Sequence, residues 1–348
     1  MLEDKNQPKT DLNQLGEFGL IDILTRDFEL KNPETVKGIG DDACVLNFKQ
    51  NDVLVSTDLL VEGIHFDLAY FPLKHLGYKA AIVNFSDIYA MNGTATQLLV
   101  SLAVSNRFPL EAIQEIYEGI KLACRIYGVD LVGGDTTSSR SGLILNPTVL
   151  GKITPGKEVY RKGAQPNDLI VVTGDLGGAY AGLLILQREN ETFKANPQHQ
   201  PDLSPYAYVV ERQLKPEARK DIPPLLNELN IQPTSMIDIS DGLSSEILHI
   251  TQQSGVGATI YANKIPIDPQ TILVADEFNI SELTTALNGG EDYELLFTIN
   301  PKDYEKLQGR KEFAVIGHIT EDKGAFLITP ANEKLELKAQ GWNALKNK

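Results

Sequence analysis

The sequence predicts two α/β domains of the α+β kind, with mixed β-sheets each covered by helices. Three observations lead there. At 348 residues the chain exceeds what one hydrophobic core usually holds. Apolar residues at helical spacing alternate with short strand-like runs along its length. Turn residues cluster at Thr154-Pro155-Gly156-Lys157, between two periodic regions. The expected division is a loose tail over residues 1–14, an N-terminal domain over 15–154 and a C-terminal domain over 155–348.

In chain order, Phe18, Leu20, Ile21, Leu24 and Phe28 recur at helical spacing and predict a helix over 15–30. Next comes Gly38-Ile39-Gly40-Asp41-Asp42, ahead of a strand-like run over 43–48. Paired carboxylates at the mouth of a strand suit a hard cation such as magnesium, which takes carboxylates, waters and substrate phosphates. Asp after Gly is also ordinary turn chemistry, and this stretch alone leaves both readings open. A polar hairpin loop is expected before a second strand over 52–57, which ends in Ser56-Thr57-Asp58.

A helix is expected over 73–91, closed by Asn92-Gly93. It carries Asp87 among Ile82, Val83, Phe85 and Ile88, which leave little polar face. Burying that carboxylate without a partner would be costly, so a functional partner is expected. A strand over 96–104, a helix over 110–127 ending at Gly128 and a short strand over 129–132 follow. The next residues are Gly133-Gly134-Asp135-Thr136-Thr137-Ser138-Ser139. They are either an anion-binding nest of backbone amides or a plain hydroxyl-rich loop. A strand over 142–153 ends this half.

The second half opens with a strand over 168–173, a glycine-rich turn and a helix reaching residue 187. Residues 188–203 read as a polar, exposed excursion, and helices follow over 205–214 and 217–229. A buried strand over 235–240 enters Asp238-Ile239-Ser240-Asp241-Gly242, ahead of a helix to residue 254. Asp241 can cap that helix; Asp238, between Ile237 and Ile239, has no such role. Asn288-Gly289-Gly290-Glu291-Asp292-Tyr293-Glu294 then precedes a strand, and further strands are expected over 313–319 and 325–328.

Composition narrows the partners. Lys and Arg total 32 against 47 Asp and Glu, and the net charge of −15 argues against nucleic acid and anionic membranes. A nucleotide stays possible, because carboxylates bind phosphates through bridging metal ions. Cys44 and Cys124 lie in apolar surroundings, as in a reducing compartment. The first 11 residues lack the apolar core of a signal peptide, and no apolar run is long enough to span a bilayer. A cytoplasmic protein is expected.

Familiar nucleotide signatures fail. The run from Gly151 to Lys157 has phosphate-loop spacing, but Glu158 replaces the hydroxyl residue. Gly38-Ile39-Gly40 precedes a strand-like run where a dinucleotide site needs a helix. Neither zinc spacing nor a Gly-x-Ser-x-Gly elbow occurs. What remains is five acid-bearing junctions and Asp87, a set of carboxylates that would repel one another without cations. Several hard ions bridging a polyphosphate account for them, which points to magnesium-dependent nucleotide chemistry with an unnamed acceptor.

The motifs Gly16-Glu17-Phe18, Gly38-Ile39-Gly40-Asp41-Asp42-Ala43, Ser56-Thr57-Asp58, Gly63-Ile64-His65-Phe66 and Asn84-Phe85-Ser86-Asp87 run in order with those that follow. These are Gly133-Gly134-Asp135-Thr136-Thr137, Asp238-Ile239-Ser240-Asp241-Gly242, Gly289-Gly290-Glu291-Asp292-Tyr293-Glu294-Leu295 and Gly341-Trp342. From about residue 15 to the C-terminus the chain thereby resembles the thiamine-monophosphate kinases of the aminoimidazole-ribonucleotide synthetase superfamily. The resemblance implies in-line transfer of the ATP γ-phosphoryl group to thiamine phosphate, with no phosphoenzyme and hence no covalent catalytic residue. It implies a homodimer built through the N-terminal sheet, and a C-terminal domain that completes the active site. By the same resemblance Asp42, Ser56, Thr57, Asp58, Asp87, Asp135, Asp238 and Asp241 would hold magnesium ions. Tyr117, Gly134, Asp135, Arg161 and Ser240 would meet ATP, and His65, Glu291 and Trp342 would meet thiamine phosphate. A cationic thiazolium suits a carboxylate and an aromatic face. Two alternatives stand beside it: another ATP-dependent synthetase of the superfamily, or a non-catalytic metal-nucleotide sensor. A selenium-activating relative would carry a reactive Cys or selenocysteine with Lys ahead of the Gly-Asp-Asp segment, and a hydrogenase-maturation relative would end in Cys. This chain has neither.

Overall fold

A computed structural model describes residues 23–37, 45–198 and 200–340. Its packing divides the chain into two units. One takes residues up to 85 together with 95–152, and the other takes 86–94 together with 153 onward.

In the first unit, β1 (Thr35–Lys37) and β2 (Val45–Leu46) form a two-stranded antiparallel sheet. There follow β3 (Asp52–Thr57), β4 (Leu60–Val61), α1 (Leu73–Ala90), β5 (Thr94–Val104), α2 (Leu110–Tyr127), β6 (Asp130–Ser138) and β7 (Ile144–Ile153). The sheet order is β3-β7-β5-β6, with β4 also on β7. Buried and half-buried residues alternate strictly along β7, the period of two that puts one face on a core. Helix α2 follows Pro109, carries Glu111 in its first turn and Arg125 in its last, and stops at Gly128 with φ 73°. Its Ile113, Ile116, Ile120 and Ala123 are buried. Asp130, at the start of β6, is buried and accepts from the Lys31 and Asn32 amides and from Thr35 Oγ1. Those bonds anchor the N-terminal segment to β6.

In the second unit, the chain runs through β8 (Leu169–Thr173), α3 (Gly178–Ala195), α4 (Ala207–Leu214), α5 (Ile222–Glu228), β9 (Ser235–Asp238), α6 (Leu243–Ser254) and β10 (Gly257–Tyr261). It continues through α7 (Pro269–Glu277), α8 (Glu282–Asn288), β11 (Leu295–Ile299), α9 (Tyr304–Leu307), β12 (Phe313–Thr320), β13 (Gly324–Ile328) and β14 (Lys334–Glu336). The seven-stranded order is β14-β13-β10-β12-β8-β11-β9. The sheet is mixed: β13 runs parallel to β10, while β12 runs antiparallel to both β10 and β8. Strands β9 and β11 are buried at every residue, because helices cover both faces. On one face Ile170, Val172, Ile237 and Leu296 pack with Ile247 and Ile250 of α6. On the other, Val171, Met236, Leu295 and Phe297 pack with Ile222 and Leu226 of α5.

Several expectations need correction. The helix expected over 15–30 lies outside the described residues up to 22, and the described part is helical only over 23–25. Strands β2 and β3 do not form the expected hairpin: β2 pairs with β1, and β3 with β7. The segment 133–138 is neither a turn nor a loop. It continues β6, in parallel register with β5 from Leu99↔Gly133 to Val104↔Ser138, so long-range pairing overrides two glycines and a hydroxyl run. Residues 188–195 are helix rather than excursion, since α3 runs to Ala195. No described helix is long and apolar enough to cross a membrane.

Two glycines let α1 and α2 touch backbone to backbone. A Cβ on Gly77 would overlap the Ile116 carbonyl oxygen, and one on Gly119 would overlap the Lys74 carbonyl oxygen. The Gly119→Ala variant should therefore lose about 1–3 kcal/mol of stability through forced separation of the helices. Urea denaturation checks this; an unchanged midpoint would show that the helices part without cost.

Candidate active site

In the second unit the site grows from strand ends. Strand β9 delivers Asp238, which is 3% exposed. Ser86, in the turns of α1 that belong to this unit, donates from Oγ to Asp238 Oδ2 at 2.6 Å. Burial first, and the neighbouring Asp87 carboxylate second, push the Asp238 carboxyl well above the usual range; Arg161 opposes them. Asp87 itself is half-buried. Burial also raises Asp241, against the charges of His249 and Arg161. Asp238, Asp241, Arg161 and Asp87 thus form one electrostatic group.

The backbone between these acids is pinned from two sides. Glu246, 1% exposed, accepts on one oxygen from the amides of Ser240 at 3.1 Å and Asp241 at 2.8 Å. Burial holds its carboxyl up, to about 7. From the other side, the Glu291 amide donates to the Ser240 carbonyl at 2.7 Å, and the Tyr293 amide to the Ile239 carbonyl at 2.9 Å. Gly290, Glu291 and Tyr293 have φ of 72°, 60° and 53°, an unfavourable conformation for the two non-glycines. Buried acids on the same loop fix it. Asp292 accepts from the Gly177 and Ala179 amides at the start of α3, and Glu294 pairs with Arg212 at 3.2 Å and Arg219 at 2.6 Å. Gln213 donates to Glu291 Oε2 at 2.9 Å.

In the first unit, Ser56 and Thr57 end β3 and Asp58 follows. Thr57 Oγ1 donates to the Pro147 carbonyl at 2.9 Å, and Asn146 Nδ2 donates to the Asp58 carbonyl at 2.6 Å. His65 is exposed, and its Nδ1 accepts from the Val61 amide at 3.0 Å, which places the neutral ring's proton on Nε2. Gly134 and Asp135 lie exposed on β6 opposite Val100 and Ser101, and a Cβ on Gly134 would overlap the Val100 carbonyl. Tyr117 is on the buried face of α2, where burial pushes its phenol up to about 12. Asp42 and Trp342 lie outside the described residues.

The structure brings Asp87, Arg161, Asp238, Ser240, Asp241 and Glu291 together within the second unit, and Ser56, Thr57 and Asp58 consecutively in the first. Among the described residues no group of three or more His, Cys, Asp or Glu is close enough to hold a metal ion without other donors. Sequence reasoning missed Ser86, Glu246, Gln213, Arg212 and Arg219 as supports. Only Glu246 left a signal, as an acid in the first turn of a helix beside a glycine-acid junction.

Glu246 and Asp238 have ordinary values of 4.5 and 3.8, and both are raised in the folded chain. The folded state therefore keeps protons that the unfolded chain has already released. Their contribution to stability, with that of Asp292, which burial raises to about 7, is present at acid pH and is lost as pH rises from about 4 to about 8. In EDTA, melting temperatures measured across that window should fall as pH rises; a flat or rising profile would contradict the assignment.

The chain matches the family model of AIR synthase related protein, N-terminal domain, over residues 40–153, and that of its C-terminal domain over 165–329. The thiamine-monophosphate kinase of Bacillus subtilis (strain 168) is 33% identical over 347 residues, covering 95% of this chain and 100% of that protein. The crystal structure of thiamine-monophosphate kinase from Stenotrophomonas maltophilia K279a superposes with TM-score 0.78 at 29% identity, covering 90% of this chain and 96% of that one. The structure of AaThiL complexed with AMPPCP and TMP superposes with TM-score 0.74 at 30% identity, covering 97% and 99%. With a likeness at this identity over 95% of its length, the chain belongs to the thiamine-monophosphate kinases, built from the two AIR synthase related domains.

Proposed function

We propose that the protein uses ATP to phosphorylate thiamine phosphate, giving thiamine diphosphate and ADP, by in-line γ-phosphoryl transfer with Mg2+. The observation that carries this reading is the end-to-end likeness to named kinases, one of which is complexed with the ATP analogue AMPPCP and with TMP. The chemistry agrees with the residues. A phosphate monoester oxygen is already largely ionised near neutral pH, so the attacking atom needs no side-chain base. The Pγ–O bond to ADP breaks as the new one forms. That leaves the protein to orient two phosphates and offset their charge.

A divalent cation fits the carboxylates present. Asp238 is buried against Asp87, and their repulsion is a cost that a bound cation relieves. In this reading Asp42, Ser56, Thr57, Asp58, Asp87, Asp135, Asp238 and Asp241 hold Mg2+, which supplies charge neutralisation on the phosphate oxygens. Arg161, exposed and next to Asp238 and Asp241, offers a cation to ATP phosphates. Gly134, Asp135 and Ser240 contribute to the same nucleotide, and so does Tyr117, which is also a packing residue on the buried face of α2. His65 presents an Nε2–H donor to the acceptor's phosphate, and Glu291 and Trp342 meet its cationic ring. A homodimer in the cytoplasm completes the proposal; the buried, protonated thiol of Cys124 suits a reducing compartment.

Three measurements test it. Mg-ATP offered with thiamine phosphate should yield thiamine diphosphate, whereas unphosphorylated thiamine should be a poor acceptor. Turnover of a ribonucleotide precursor instead, or ATP binding with no turnover, would replace the reading by a synthetase or a sensor. The Asp87→Asn variant should lose on the order of a hundredfold or more in kcat, as removal of a metal contact can cost several kcal/mol of barrier. Its melting temperature in EDTA should hold or rise, because the charge pressing on Asp238 is gone; a melted variant with full activity in its folded fraction would favour a structural role. The Trp342→Ala variant should raise KM for thiamine phosphate with KM for ATP unchanged. Equal rises in both would remove Trp342 from the acceptor side.

A further inference from the structure

Glu291 is bound to the rest of its unit by more than its backbone. Gln213, at the C-terminal end of α4, is 3% exposed and donates from Nε2 to Glu291 Oε2 at 2.9 Å. A carboxylate can only accept here, so the amide nitrogen must face it and the amide oxygen must point away. The adjoining Arg212 is fixed in turn, with Nη1 on Glu294 and Nη2 on the Asp175 and Asp292 carbonyls. Helix α4 therefore holds the loop twice: Arg212 secures its base, and Gln213 reaches the carboxylate at its tip. The tip has no stiffness of its own, since Glu291 has φ 60° between a left-handed glycine and a second left-handed residue at Tyr293. Loop residues with such angles persist only when their surroundings over-determine them.

We propose that Gln213 is a positioning residue that sets the direction of the Glu291 carboxylate and so determines affinity for the positively charged part of the acceptor. This rests on the reading of Glu291 as an acceptor contact. A correctly aimed carboxylate pays no ordering entropy when the cation arrives, which is how preorganisation raises affinity. A carboxylate that has lost the Gln213 donor is held in direction by one hydrogen bond fewer, and it meets the cation less often in the right pose. The chemical step lies elsewhere, so its rate is untouched.

The test is a set of kinetic comparisons on the full chain. Gln213→Met keeps volume and removes the donor; KM for thiamine phosphate should rise about tenfold, as expected for losing a hydrogen bond to a charged group. The kcat and the KM for ATP should stay within about twofold, and the melting temperature should hold. Gln213→Glu, which sets a like charge against Glu291, should raise the same KM further. Gln213→Asn guards against a Met variant that fails to fold, and should give the same selective rise. In a Glu291→Gln background, Gln213→Met should add nothing further. A fall in kcat together with a rise in both KM values would show a merely structural residue and overturn the proposal. So would an unchanged KM in all three Gln213 variants while Glu291→Gln alone raises it. If Glu291→Gln itself leaves KM for thiamine phosphate unchanged, the acceptor role of Glu291 is what has failed, and the positioning role fails with it.

Discussion

Glu294 lies at the base of the acidic loop with both oxygens engaged. Thr173 and Arg219 donate to Oε2 and Arg212 donates to Oε1. The carboxylate is 3% exposed, and it joins β8, the start of β11, helix α4 and the segment before α5 at one point. Both guanidinium groups have a second acid, Asp292 for Arg212 and Asp221 for Arg219, and Glu294 is the one that joins them. The Gly-Gly-Glu-Asp-Tyr-Glu loop takes its shape from this anchor. Its left-handed residues depend on it, and through Glu291 and Tyr293 so does the backbone of Ile239 and Ser240.

Two kinds of buried acid follow from that arrangement. Asp130, Asp292 and Glu294 are met by amides, hydroxyls or guanidinium groups within the chain, and they hold segments together. Asp238 receives a Ser86 hydroxyl and faces a like charge from Asp87. Its charge is not balanced by the protein to the same degree, and an external cation is the natural complement. On the proposed reading, Asp130, Asp292 and Glu294 build the fold and Asp238 is left for the metal. The contrast is one of neighbours, since burial raises Asp292 as well, to about 7, against Arg212 and two amides, whereas at Asp238 the Asp87 charge adds to burial.

The same contrast explains which parts of the site could be read in advance. The acid-bearing junctions were visible because Asp next to Gly, Ser or Thr at a strand end is a local pattern, and Asp87 was visible as a carboxylate in an apolar stretch. Their supports were not. Ser86 is an ordinary residue until Asp238, 152 positions later, is placed beside it. Gln213 and Arg212 sit in an amphipathic helix whose polar residues look solvent-facing, yet they are turned inward to a loop about 80 residues away, Arg212 lying 82 positions from Glu294.

By itself the sequence determined the long helices α1 and α2 and several strands, because periodicity and end signals are carried by each segment's own residues, while the short helices α7, α8 and α9 and the strand β10 carried no signal that was read. Helix α2 has the bounds its apolar spacing and Gly128 predict, and β3 has those of its strand-like run. The sequence also determined the family, since the motifs run in order along the chain. Tertiary structure alone decided the pairing of β2 with β1, the continuation of β6 through Gly133 and Gly134, and the extension of α3 to Ala195. It alone decided which carboxylates are neutralised. Strand pairing and charge compensation are contacts between distant positions, and their energies depend on what lies opposite, which no local pattern encodes.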